Sequence, residues 1–183
     1  MTHHLVRDAT PADLPQLLVL NTAAVPAVND IDADEMRELL TSARRAVCVV
    51  EAEHPDAVLG FVLALVPGLA YASENYRWFS ARADARGDAF LYVDRIVVAG
   101  GHRSAGLGAL LYEAVLETAE ADGAAEVDCE VNVEPPNPGS LAFHGRLGFA
   151  EVGRQSTKGG TVVVALLARP VAGHSVTAAT TAP

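Results

Sequence analysis

The chain alternates short β-type runs with helix-type segments and shows no internal repeat, and this alternation restricts its fold more than any other feature. β-Branched and aromatic residues mark the strand-like runs, and apolar residues at helical spacing mark the segments between them. This order predicts a single α/β (α+β) domain. The strand-like runs cover about residues 4–8, 46–53, 58–66, 90–98, 126–133, 149–155 and 161–168, and the helical segments begin after Thr10 and cover about 32–42, 106–123 and 140–147.

Two segments fall outside the regular pattern. Residues 67–88 carry Tyr71, Tyr76, Trp78 and Phe79 among charged residues without a clear period, so we interpret 67–89 as an irregular insertion or lid. The alternative is that these aromatic side chains only attach the segment to the body of the domain. Residues 170–183 are rich in Ala and Thr and also lack a period, which predicts a flexible tail after a domain that covers 1–169.

The chain is strongly acidic, and this bears on its partners. It has 13 basic against 23 acidic residues, for a formal net charge of -10. Because an acidic surface repels phosphate backbones, nucleic acid is not an expected partner. A cationic or amine substrate is easier to accommodate, whereas an anionic ligand needs a local group of hydrogen-bond donors.

Compartment and cofactor chemistry follow from what the sequence lacks. No apolar run approaches the roughly 18 residues of a membrane span, and the first residues lack the basic and apolar blocks of a secretion signal. We therefore expect a cytoplasmic location and no membrane partner. Cys48 and Cys129 lie in strand-like runs and are expected to be buried, with a catalytic cysteine as the alternative. The histidines show no metal-ligand spacing, so no metal site is expected.

The segment from Ile96 to Ala109 is the most informative for chemistry. A strand leads into a glycine-containing loop, and the loop opens a helix. Free N–H groups and the helix dipole make such a helix start attractive to anions, and Arg103 adds a positive charge. The alternative is a strand-to-helix turn that is merely rich in glycine. The loop has no lysine, which excludes a P-loop, and Leu111 stands where a dinucleotide-binding fingerprint needs its third glycine.

Two motifs in this order resemble those of the GNAT superfamily of acyl-CoA-dependent N-acetyltransferases, including its uncharacterised predicted acetyltransferases. The first is Arg103-Ser104-Ala105-Gly106-Leu107-Gly108, after the fourth strand. The second consists of Asn137, Ser140, the pair Phe143-His144 and the dipeptide Gly148-Phe149. The resemblance covers about residues 4–168. It implies a GNAT-like acyl-CoA N-acyltransferase fold, with a mixed, mostly antiparallel twisted sheet flanked by helices.

The resemblance also implies acetyl-CoA (coenzyme A) as cofactor and places it on this sequence. The main chain of Ile96, Val97 and Val98 is expected to pair with the pantetheine arm, and Val97 or Val98 to donate an N–H to the thioester oxygen. Asn137 and Ser140 are expected along the pantetheine and adenosine end, and Phe143 near the cofactor. The residues expected to hold the pyrophosphate are Arg103, Ser104, Ala105, Gly106, Leu107, Gly108 and Ala109.

The catalytic groups depart from the usual pattern. Many relatives place a tyrosine acid at the second position of the aromatic pair, where this chain has His144. His144 is a candidate general acid, although a thiolate is a tolerable leaving group without one; packing or cofactor contact is the alternative role. Asp94 and Glu130 are candidate bases that lie on neighbouring strands. The alternatives are an ion pair of Asp94 with Arg95 or Arg45, and a solvated Glu130.

These features predict transfer of an acetyl group from acetyl-CoA to a primary amine of a small molecule or peptide, by direct attack in a ternary complex. We expect the acceptor between residues 21–34, 67–88 and 130–136. A non-catalytic module that binds or senses acyl-CoA is the alternative, and a nucleotide-binding fold misread from a glycine-rich loop is a weaker one. Dimers are common in the superfamily, so a homodimer is one expectation for the assembled state.

Overall fold

Residues 3–172 are described by a computed structural model. They form seven strands and five α-helices, with three short 3-10 turns between them. The strands are β1 (His4–Asp8), β2 (Arg45–Glu51), β3 (His54–Leu65), β4 (Phe90–Val98), β5 (Glu126–Glu134), β6 (Ala150–Thr157) and β7 (Val162–Pro170). The helices are α1 (Leu14–Ala24), α2 (Ala33–Ser42), α3 (Glu74–Arg86), α4 (Leu107–Ala121) and α5 (Pro138–Arg146).

The strands form one open sheet in the order β1-β2-β3-β4-β5-β7-β6. Neighbouring strands are antiparallel except for β4 and β5, which run parallel. A parallel pair cannot be joined by a tight turn, and α4 supplies the crossover between these two strands. The predicted mixed, mostly antiparallel sheet with flanking helices is therefore confirmed.

The helices cover both faces of the sheet. The apolar stripe of α4, with Leu107, Leu111 and Val115, packs on one face, where Val127 and Cys129 of β5 also lie. The opposite face is covered by α1, α2 and α3. Their buried contributions include Leu17, Met36, Phe79 and Ala83. Successive β5 residues therefore alternate between two cores, and the even-numbered residues of β5 face the α3 side.

A β-bulge interrupts β4 at Asp94. Leu63 of β3 pairs with Arg95, but the next β3 residue, Ala64, pairs with Val93, so Asp94 is the extra residue. The bulge reverses the facing of the strand, because Val93 packs on the α4 side whereas Val97 packs on the other. Bulges often occur beside active sites, where they redirect side chains.

The expectation of an irregular segment at 67–88 is wrong for most of its length, because α3 occupies residues 74–86. The Ser73 side chain caps this helix by accepting a hydrogen bond from the N–H of Tyr76 at 3.2 Å. Tyr76, Phe79 and Ala83 are buried along one side of the helix. The buried side is made of two aromatic residues and one alanine among many charges, so the usual aliphatic period is missing. The role of 67–89 as an insertion or lid stays a prediction.

The predicted start of the tail also needs correction. Pro170 is the last residue of β7, and the buried Val171 donates its N–H to the carbonyl of Ala125 at 2.9 Å. The ordered domain therefore extends past residue 169 because β7 continues beside β5. The rest of the predicted tail, residues 173–183, lies outside the described part of the chain.

Asp128 is an unusual buried charge in β5. Asp128 has no exposed surface, and neither of its carboxylate oxygens has a hydrogen-bond partner within residues 3–172. Its neighbour on the same face, Glu126, is held by Arg82 and Arg86 of α3. Burial, and then the charge of Glu126, raise the pKa of Asp128 to about 8, against the partial effect of the two arginines. The folded protein therefore holds Asp128 in its neutral form at pH 7.

We expect Asp128→Asn to increase the free energy of unfolding at pH 7 by a few kcal/mol. Below pH 4 the carboxyl is neutral in both states, so it contributes no difference. Between pH 4 and about 8 only the unfolded carboxyl is ionised, which lowers the stability by about 1.4 kcal/mol per pH unit. Urea unfolding of both proteins from pH 4 to 8 measures this widening gap. The exposed Asp84 on α3 offers a control, and equal effects of Asp84→Asn and Asp128→Asn contradict the prediction.

Candidate active site

The parallel strands β4 and β5 separate part-way along their length and open a cleft in the sheet. Their pairing runs from Phe90 with Glu126 to Tyr92 with Asp128, although both strands continue for several residues beyond it. The cleft has a volume of about 1870 Å³, larger than the roughly 300–1,000 Å³ of most ligand pockets. It therefore has room for a large ligand and a second molecule. Apart from Ala105, every site residue predicted from the sequence lines this cleft.

The edge of β4 presents main-chain groups to the cleft. Ala99 donates its N–H to Leu59 of β3 at 2.8 Å. Because such bonds alternate along an antiparallel pair, Val97 also directs its N–H and C=O towards β3. Ile96 and Val98 then direct theirs to the opposite edge, where β5 has turned away. The N–H of Val98, unlike that of Val97, is therefore directed to the open edge of β4.

The start of α4 presents main-chain N–H groups to the same cleft. Gly106 precedes the helix with a φ of 81°, a conformation that suits glycine, and no side chain of the described residues caps the helix there. The N–H groups of a first helical turn have no partner within the helix. Arg103 and Ser104 line the cleft just before this turn. The helix start is therefore arranged to receive an anion.

Helix α5 forms the wall of the cleft beside the start of α4. The Asn137 side chain caps α5 by accepting a hydrogen bond from the N–H of Ser140 at 3.2 Å. A Cβ atom at Gly108 would lie 2.8 Å from the ring of Phe143. Glycine at 108 therefore allows α4 and α5 to approach closely beside the cleft. Asn137, Ser140 and Phe143 all line the cleft on this side.

Two carboxylates, Asp94 and Glu130, lie at the end of the cleft away from the start of α4. Asp94 accepts hydrogen bonds from Tyr71 at 2.5 Å and from the guanidinium of Arg95 at 2.8 Å. The ion pair of Asp94 with Arg95, one of the alternatives considered from the sequence, is therefore present. Glu130 accepts a hydrogen bond from the Tyr92 hydroxyl at 2.7 Å and is half-buried, so it is not simply solvated.

The pKa of the Glu130 carboxyl lies well above its ordinary value. Burial is the main cause that raises the pKa of Glu130 to about 7, and the nearby charge of Asp94 adds to it. The hydrogen bond from Tyr92 acts in the opposite direction. A carboxyl group with a pKa near neutrality can accept a proton at pH 7 and release it again.

The charges that line the cleft differ between its two ends. Arg103 lies beside the start of α4, and Arg146 lies on α5. Apart from Lys158 and the paired Arg95, the charged side chains near α1, α2, α3 and β5 are acidic. They are Asp30, Glu35, Glu38, Glu74, Asp94 and Glu130. The cleft is therefore suited to an anionic ligand at one end and a cationic one at the other.

Comparison with protein families identifies the chain. The model of the Acetyltransferase (GNAT) family matches residues 14–149, which includes both sequence motifs and the separating strands. The chain belongs to the GNAT family. No curated protein sequence matches it significantly.

Solved structures show the same fold. Arabidopsis thaliana NAA60 in complex with a bisubstrate analogue has a TM-score of 0.74 at 18% identity, over 94% of this chain and 100% of that one. The acetyltransferase yncA of Salmonella typhimurium, whose structure contains acetyl-CoA, gives 0.67 at 16% identity, over 95% and 97%. The ribosomal-protein-alanine N-acetyltransferase of Brucella melitensis gives 0.65 at 23% identity, over 91% and 99%. At these identities the similarity establishes the GNAT fold and not the substrate.

His144 of this GNAT protein is enclosed rather than free. Its Nδ1 lies 2.8 Å from the carbonyl of Ser140, and its Nε2 lies 2.8 Å from the Tyr112 hydroxyl. Burial lowers the pKa of His144, while the Ser140 carbonyl partly opposes that shift. In the neutral ring, Nδ1 donates to Ser140 and Nε2 accepts from Tyr112, so both nitrogen atoms are occupied.

Sequence reasoning missed several polar contacts beside this GNAT site. Tyr112 on α4 is an example, because its position within an apolar stripe predicts only a core residue. Asn21 and Arg95 are buried and bonded to each other, although 74 positions separate them in sequence. The sequence signal that could have indicated these contacts is a polar side chain within an otherwise apolar helix or strand. Such a residue requires a partner, but the sequence does not say which.

The two cysteines of the GNAT protein are buried, as the sequence predicted. Burial raises the pKa of Cys48 to about 12 and raises the pKa of Cys129 well above its ordinary value. Cys129 lines the cleft, but a thiol with a raised pKa supplies little of the thiolate that acts as a nucleophile. Among residues 3–172 there is no cluster of three metal-ligating side chains and no helix long and apolar enough to span a membrane.

Proposed function

We propose that this GNAT protein binds acetyl-CoA and catalyses transfer of its acetyl group to a primary amine of a small molecule or peptide, by direct attack in a ternary complex. One observation carries the proposal: a single cleft joins an uncapped helix start to the half-buried carboxyl group of Glu130. The first feature suits the diphosphate of coenzyme A, and the second suits deprotonation of an amine.

The binding residues follow from the geometry of the cleft. The N–H groups of Gly106, Leu107 and Gly108 and the side chain of Arg103 hold the diphosphate. The main chain of Ile96 and Val98 bonds to the pantetheine arm as a neighbouring strand does. The Val98 N–H is the donor available to the thioester oxygen, where negative charge develops during attack.

Glu130 acts as the general base. An amine must be neutral to attack, and Glu130 at the acidic end of the cleft accepts the ammonium proton directly or through water. Asp94 is less suited to this role, because both of its oxygen atoms already accept hydrogen bonds. The surrounding negative charge attracts the cationic form of the acceptor before it loses its proton.

Direct attack fits the state of the cysteines and of His144. An acyl-enzyme route needs a thiolate, which the raised pKa of Cys129 disfavours. The enclosed neutral His144 orients α5 against α4, and the coenzyme A thiolate departs without a proton because its own pKa is about 8.5. The predicted acid role of His144 stays a prediction, and the pH profile considered in the Discussion tests it.

The expected result is release of coenzyme A thiol when the protein is mixed with acetyl-CoA and a suitable amine. A panel of spermidine, 2-phenylethylamine and short peptides with free N-termini covers small and peptide acceptors, and a thiol-reactive dye measures the rate. Acetylation of the amine in mass spectra confirms the product. Coenzyme A binding by calorimetry without turnover on any amine favours the sensing module instead. Binding of NAD or ATP in place of coenzyme A contradicts the whole assignment.

A further inference from the structure

A buried polar network connects the bulge in β4 to helix α1. The Arg95 side chain is 3% exposed and donates from Nε to Asp94 and from a terminal nitrogen to the Asn21 side-chain oxygen, both at 2.8 Å. Asn21 lies near the end of α1 and has no exposed surface. Desolvating a guanidinium is costly unless its partners are well placed. The network therefore fixes these three side chains relative to one another.

The network extends from Asn21 into the loop between α1 and α2. The Asn21 amide donates to the carbonyl of Asn29 at 3.0 Å. The Asn132 amide on β5 donates to the carbonyl of Pro26 at 3.1 Å, which fixes the other side of the loop. Residues 23–31 line the acceptor end of the cleft, whereas Asn21 itself does not.

The network reaches a second wall of the cleft through Asp94. The Tyr71 hydroxyl donates to Asp94, and Tyr71 belongs to the segment before α3, of which residues 69–73 line the cleft. Asp94 therefore bridges Arg95 and Tyr71. The segments that the network connects are the α1–α2 loop, the segment before α3 and the β4 bulge. All three border the acceptor end, and none of them is the start of α4.

We propose that Asn21 and Arg95 are positioning residues that set the shape of the acceptor site, with Asp94 as their link to Tyr71. This inference rests on the proposed function, because it assigns the walls that the amine contacts. Breaking the network loosens two of these walls and lowers affinity for the acceptor. Coenzyme A binding should change little when Asn21 or Tyr71 is replaced, because their side-chain hydrogen bonds go to Arg95, Asn29 and Asp94 and not to the start of α4.

The test compares a change near the end of α1 with a change at Asp13, the residue just before this helix. Asn21→Leu removes both hydrogen bonds at the end of α1, and we expect it to raise KM for the best amine of the panel by roughly 10-fold or more. Asp13→Asn is the matched control, because it weakens a part-buried ion pair with Arg7 at the start of α1, away from the cleft. Tyr71→Phe removes a single hydroxyl and gives a milder variant should Asn21→Leu fold poorly.

Three measurements separate positioning from general destabilisation. We expect Asn21→Leu and Tyr71→Phe to raise the acceptor KM while Kd for coenzyme A stays within about 2-fold of wild type. We also expect faster amide exchange at residues 27–31 in Asn21→Leu and not in Asp13→Asn. If wild type turns over and the acceptor KM is unchanged in Asn21→Leu and Tyr71→Phe, this inference is wrong and the proposed function stands. An equal rise of KM in Asp13→Asn has the same consequence. Absence of turnover in wild type removes the proposed function and this inference with it.

Discussion

Glu130→Gln is expected to lower kcat/KM for the amine by about 100-fold or more, in line with the usual contribution of a general base. Glutamine keeps the size of the side chain and can still accept the hydrogen bond from Tyr92, so the cleft retains its shape. It cannot accept a proton. Stopped or continuous thiol-release assays at saturating acetyl-CoA measure the loss, and calorimetry should show unchanged coenzyme A affinity.

The reaction rate should depend on pH in a direction that follows from the role of Glu130. Glu130 must be ionised to act as base, so the wild-type rate should rise with pH through about 7, where its pKa lies. In Glu130→Gln that inflection should disappear. Only the rise that follows loss of a proton from the ammonium form of the acceptor should remain. If the pH–rate profile of Glu130→Gln is the same as that of wild type, another group causes the inflection and acts as the base.

His144→Phe is the comparison variant for the same experiment. If neutral His144 only orients α5, its loss lowers stability through the Tyr112 contact but leaves the pH profile unchanged. If His144 donates a proton to the leaving thiolate, the wild-type rate falls once His144 loses its charge, and this fall is absent in His144→Phe. The burial that lowers the pKa of His144 would place such a fall below the ordinary range of histidine.

The parts of the site that the sequence predicts are those made by contiguous residues. The strand, loop and helix start from Ile96 to Ala109 lie within one stretch, so glycine positions and a positive side chain suffice to predict an anion site. The Asn137 cap and the Phe143 contact also depend on short-range spacing. The order of strands and helices predicts the class of fold for the same reason.

The parts that sequence reasoning missed depend on contacts across the fold. Nothing near Asn21 in sequence indicates that it meets Arg95, and the bulge that places Asp94 between strands is visible only in the pairing of β4 with β3. The raised pKa of Glu130 follows from burial and from the charge of Asp94, which belongs to another strand. Helix α3 was missed because its buried side is aromatic and short.

Gly106→Val is expected to weaken coenzyme A binding by about 100-fold or more. A Cβ at Gly106 meets no protein atom within 4 Å, so the valine side chain would occupy the open space in front of the helix start. That is where the diphosphate must approach the N–H groups. A hydrogen bond to a charged group contributes about 1.5–3 kcal/mol, so loss of two of them accounts for this change. Calorimetric titration with coenzyme A measures it without any need for a known acceptor.

Gly123→Val controls for the strain that valine causes at a positive φ. Gly123 follows the other end of α4, has a φ of 70° and also has no protein atom within 4 Å of a Cβ, but it does not line the cleft. Both variants should therefore lose comparable stability, because valine is disfavoured in this conformation. Only Gly106→Val should lose coenzyme A affinity, since only its side chain stands before the N–H groups. Wild-type affinity in Gly106→Val, or an equal loss in Gly123→Val, would mean that the diphosphate binds elsewhere.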